Sequence, residues 1–71
     1  MMECKFGFLI FIDDDGLLCC IRCFHIVSVY VTDDEKIVIE DNNGGLHFVH
    51  HKEALPISKV LFLIAGGCND N

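Results

Sequence analysis

Short apolar runs, most of them closed by an acidic or glycine-bearing break, commit this chain to strands. Cys4–Ile12 ends at Asp13-Asp14-Asp15-Gly16, Leu17–Ile21 at a short connection over Arg22–His25, and Ile26–Thr32 at Asp33-Asp34-Glu35. Lys36–Glu40 runs into Asp41-Asn42-Asn43-Gly44-Gly45, the strongest hairpin signal present, before a fifth run at Leu46–His51. Runs of this length bounded by Asp, Asn and Gly read as antiparallel strands joined by tight turns. In Ile26–Thr32, Val27, Val29 and Val31 point one way while Ser28, Tyr30 and Thr32 point the other. After Leu55 the period changes: Val60, Leu61, Leu63 and Ile64 fit one side of a helix. Pro56 suits its first turn, and Gly66 and Gly67 suit its end. The expected fold is α+β and mostly β, a single domain over residues 1–71. A five-stranded antiparallel meander, curved or barrel-like, occupies 4–51, with a short helix over 55–65 and a tail over 68–71. A sixth strand over 59–65 is the competing reading of the last element.

Size sharpens the argument. A domain of this size buries only about 60% of the surface its unfolded chain exposes, yet 52% of the 71 residues are hydrophobic. The first run is apolar on both sides, with Phe6, Phe8, Ile10 and Ile12 on one face and Leu9 and Phe11 on the other. The expected core draws on Phe8, Ile10, Val27, Val29, Val31, Ile37, Ile39, Phe48, Val60 and Leu63. The excess is assigned to a subunit interface at Leu9, Phe11, Leu18 and Phe62.

Charge excludes one class of partner. Five basic side chains against eleven acidic ones, for a net charge of -6, do not suit a protein that neutralises phosphates. In a meander the turns Asp13-Asp14-Asp15 and Asp33-Asp34-Glu35 fall at one end of the sheet, where six carboxylates make a negative rim suited to a basic partner. The apolar stretch Phe6–Ile12 is too short for a membrane span, and three aspartates follow it where a signal peptide has small residues. The five cysteines are odd in number, which suits a reducing cytoplasm better than a secreted disulfide scaffold. Cys20 and Cys23, with His25 two residues on, have ligand spacing for zinc. Only one such pair is present, however, and it lies in apolar strand sequence, so buried structural cysteines explain it more simply and no cofactor is expected. No nucleophile elbow or phosphate-binding glycine loop is present, and the chain reads as non-catalytic.

The stretch Leu17–Ile64 runs through "HIVSVYV", an acidic turn, "KIVIED", an Asn/Gly turn, "LHFVHH", "KE" and an apolar segment containing "VLFLI". This order resembles small bacterial proteins of the flagellar FlbD type over about two thirds of the chain. The sequence departs from that pattern in its longer, more apolar first strand, an insertion at Leu55–Pro56 and its many Cys and His residues. The resemblance implies a small sheet capped by a helix, without an active site, and carries over no functional residue. The functional expectation is a self-associating interaction module with an acidic surface. The alternatives are a phage or mobile-element inhibitor that occludes a host protein or holds a small ligand between subunits, and a small zinc- or thiol-dependent protein.

Overall fold

Turn chemistry divides the strands. In the computed structural model, which describes residues 2–53 and 55–69, they form two three-stranded antiparallel sheets. β1 (Glu3–Lys5), β2 (Phe8–Ile12) and β3 (Leu18–Arg22) make the first, in that order; β4 (Ile26–Val31), β5 (Ile37–Asp41) and β6 (Leu46–Phe48) make the second. A 3₁₀ turn at Cys23–His25 joins the sheets, and another at His51–Glu53 precedes the helix α1 (Ile57–Asn69). Among the described residues the protein is mostly β with one C-terminal helix, but the single five-stranded meander is corrected to six strands in two sheets, and no barrel closes.

The correction begins at Phe6-Gly7. Both residues have left-handed backbone, with φ of 53° and 80°. Two consecutive positive φ values make the turn that matches strand twist in a two-residue hairpin. The chain doubles back, pairing Glu3 with Ile10 and Lys5 with Phe8. A phenylalanine at positive φ is unusual, so the sequence reads as one long strand where there are two. The sheets meet at the far end of β2, where Asp13 bridges Val49. His50 N–H donates to the Ile12 carbonyl at 2.9 Å and Asp14 N–H to the Phe48 carbonyl at 3.0 Å.

The core lies between the inner sheet faces and α1. It gathers Met2, Leu9, Phe11, Ile21, Cys23, Ile37, Ile39, Val49 and Val60. Ile37, Ile39 and Val60 take their expected places, and Val29 and Leu63 pack against them. Val27, Val31 and Phe48, expected inside, are exposed, while Phe8 and Ile10 are half-buried. Leu9 and Phe11, expected at an interface, are fully buried in the subunit core. Alternation along β2 cannot choose between two apolar faces; the choice follows from which face α1 and β5 cover. α1 presents Val60, Leu63 and Ile64 to that core, a spacing of three and four residues. Leu61, expected on the same side, is exposed. The helix starts at Ile57, with the Pro56 carbonyl accepting from Lys59 and Val60 N–H at 2.8 and 3.2 Å. It continues through Gly66 and Gly67 to Asn69, beyond the expected end at 65 and into the expected tail, whose last two residues lie outside the described ones. Among the described residues no helix is long and apolar enough to cross a membrane.

Candidate functional site

One carboxylate organises the hairpin between β5 and β6. Asp41 Oδ1 accepts the backbone N–H of Asn43 at 2.9 Å and of Gly45 at 2.8 Å. Its Oδ2 faces His47 Nε2 at 2.8 Å. Gly44, at φ 83°, supplies the left-handed residue the turn requires. The His47 bond first, then the Gly45 and Asn43 N–H groups, hold the Asp41 carboxyl below its ordinary value of 3.8. Asp41 lines an open cleft of about 300 Å³ with Arg22, His25, Asn43 and His47. The cleft is tied together where Asn42 N–H donates to the His25 carbonyl at 2.8 Å.

A lowered carboxyl pKa fixes the sign of a pH effect. The stability Asp41 contributes is complete above 3.8 and is lost as pH falls below that value towards the lowered one. Asp13 and Asp34 act in the same direction. Urea midpoints should therefore drop between pH 5 and pH 3 (about the window set by ordinary carboxylates), and Asp41→Ala should shrink that drop. A midpoint equal at both pH values would contradict the assignment. Gly45→Ala should also destabilise the hairpin, because an added Cβ would stand 2.6 Å from Asp41 Oδ2. Its melting temperature matching the parent would show that the carboxylate relocates freely.

The two acidic turns do come together. Asp13 Oδ1 accepts the N–H groups of Asp15 and Leu17, each at 2.9 Å, and Oδ2 accepts from the Cys19 thiol at 3.4 Å. These contacts, the Leu17 N–H foremost, lower the Asp13 pKa. Burial first, and then Asp13, push the Cys19 thiol up. Across the rim Lys36 Nζ pairs with Asp14, and Thr32 Oγ1 donates to Asp34 within the second turn. Lys36 thus bridges the two turns, and Asp14, Asp15, Asp33, Asp34 and Glu35 remain exposed around it.

The proposed zinc ligands are not gathered. Cys20 and His25 are exposed, whereas Cys23 turns inward and is buried. Among the described residues no group of three or more His, Cys, Asp or Glu side chains is placed to hold a metal ion. His50 and His51 instead stack on each other, ring centroids 4.3 Å apart.

The faces opposite the core carry apolar rows as well. Register places Ile12 beside Leu18, Ile10 beside Cys20, and Tyr30, Val38 and Phe48 side by side across three strands. Val38 is fully buried yet lies outside the core cluster; on this outer face, Tyr30 and Phe48 are its cross-strand neighbours. Leu18 is 71% exposed and Phe62, on α1, is 79% exposed. Those two expected interface residues lie on different elements, Phe62 beside a groove with Met2, Leu55 and Leu63. Phe6 and Phe24 are also exposed, at the end where Cys23 N–H donates to the Gly7 carbonyl at 2.8 Å.

No family model, curated protein or solved structure matches the chain.

Proposed function

We propose that this protein is a non-catalytic interaction module that associates with itself through the outer sheet face. The observation that carries this reading is that large apolar side chains stay exposed after the core is filled, among them Leu18 in the first sheet, beside half-buried Ile10 and Ile12, and Tyr30, Leu46 and Phe48 in the second. Large exposed apolar side chains on so small a domain mark an interaction site, and a face that can pack on its own copy about a two-fold axis favours closed assembly. In this reading Leu18, which is exposed, belongs to the interface, and Leu9 and Phe11, which are buried in the core, do not.

A second reading rests on the acidic rim. Two turns rich in carboxylates, set side by side with Lys36 between them, offer a basic protein a complementary surface. On this reading the assembled module occludes a site on another protein, as an inhibitor from a phage or mobile element would. Native mass spectrometry of reduced protein, before and after denaturation, separates these possibilities. Multiples of 8.0 kDa without added mass support a self-associating module. Added zinc mass would return weight to Cys20, Cys23 and His25, and an added organic mass would indicate a ligand held between subunits. A bare monomer would remove the proposal.

A further inference from the structure

Two cysteines distant in sequence meet at the core's edge. The Sγ atoms of Cys4, on β1, and Cys23, at the start of the 3₁₀ turn after β3, stand 3.2 Å apart. A disulfide bond is about 2.0 Å long, so closure requires a movement on the order of 1 Å. Cys4 is half-buried and reachable from solvent, while Cys23 is 3% exposed and packed in the core. The pair joins the first strand to the corner where one sheet gives way to the other, and nothing in the self-association reading depends on it.

We propose that Cys4 and Cys23 form a redox-active dithiol that closes to an intramolecular disulfide on meeting a small-molecule disulfide such as oxidised glutathione. Cys4 loses its proton and its Sγ attacks one sulfur of the small disulfide. That S–S bond breaks, one glutathione thiolate leaves, and a mixed disulfide forms on Cys4. The Cys23 thiol then loses its proton and its Sγ attacks Cys4 Sγ, expelling the second glutathione thiolate. Two protein thiols are oxidised, one small disulfide is reduced to two thiols, and the two protons pass through solvent to the departing thiolates. Selectivity over Cys19 and Cys20 follows from placement. The Cys19 thiol donates to Asp13 and is held protonated by burial and that carboxylate, which makes it a poor nucleophile. Cys20 lies on the opposite face of β3 from the core.

The lysines and arginine of the chain make the test direct. Trypsin cuts after Lys5, Arg22 and Lys36, which puts Cys4 on the peptide 1–5, Cys19 and Cys20 on 6–22 and Cys23 on 23–36. Folded wild-type protein is treated with oxidised glutathione, its remaining thiols are blocked, and it is digested without reduction. The expected product is peptide 1–5 joined to peptide 23–36, lighter by two hydrogens than their sum. The melting temperature should rise on the order of 10 °C on oxidation, as expected for a closed loop of this length in a small domain, and return on reduction. Cys4→Ser should abolish both effects. A persistent glutathione adduct on Cys4, Cys23 joined to peptide 6–22 or 60–71, or no rise in melting temperature would overturn the proposal. The wild-type peptide map decides even if Cys4→Ser fails to fold.

Discussion

Phe11→Ala is expected to destabilise the folded chain by about 3–5 kcal/mol, the range for removing a buried aromatic ring from a packed core. Phe11 is fully buried, as are Leu9 on the same face of β2 and Val60 in α1, members of the same core cluster. A domain of this size has a total stability of roughly 4–10 kcal/mol, so the loss takes most of it. Phe11→Asp goes further, because an unpaired carboxylate in that core has no partner to offset its desolvation. The variant should be unfolded at room temperature by circular dichroism, not a folded monomer. This outcome separates the two faces of β2. If Phe11→Asp melted like the parent and merely lost its assembly, the inward face would be the one bearing Phe8 and Ile10.

The opposite behaviour is expected on the outer face. Leu18→Asp combined with Leu46→Asp should leave the melting temperature of the isolated subunit within a few degrees of the parent, since both side chains are exposed and surface substitutions are usually within about 0.5 kcal/mol. The same pair should weaken self-association on the order of 100-fold or more. Each new carboxylate would be desolvated in the contact and, about a two-fold axis, would face further negative charge. The acidic turn before Leu18 adds to that repulsion. Raising salt should recover only part of the loss, because screening relieves repulsion but not desolvation. Size-exclusion chromatography with light scattering reads the mass directly. An unchanged mass would move the interface elsewhere, to the groove beside Phe62 or to the exposed Phe6 and Phe24.

Sequence reached the turns more surely than the faces. Asp13–Gly16 and Asp41–Gly45 carry their own chemistry, Asx-type hydrogen bonds and glycines at positive φ, and the turn at Asp33–Glu35 is closed by Thr32, so each acts locally. The strands between them and the helix after Pro56 follow from that punctuation. Phe6-Gly7 escaped because its only local signal is one glycine inside an apolar run. The inward face of β2 escaped for a different reason. Leu9, Phe11, Phe8 and Ile10 are all apolar, so period two is present without polarity to orient it. Tertiary contacts with Ile21, Ile39 and Val60 make the choice, and none of these is near in sequence. The pairing of Lys36 with Asp14 joins turns of two different sheets, which the order of a single meander does not foretell, and the meeting of Cys4 and Cys23 depends on a 3₁₀ corner that no spacing rule foretells.

The central claim, that the outer sheet face mediates self-association, is tested most directly by sedimentation equilibrium of the wild-type chain in reducing buffer over a wide concentration range. Run beside it, the Leu18→Asp and Leu46→Asp double variant provides the control. The account predicts a wild-type mass at a whole multiple of 8.0 kDa and a variant at the monomer mass with its fold retained. A wild-type protein that stays monomeric at the highest concentration, folded and monodisperse, would contradict it.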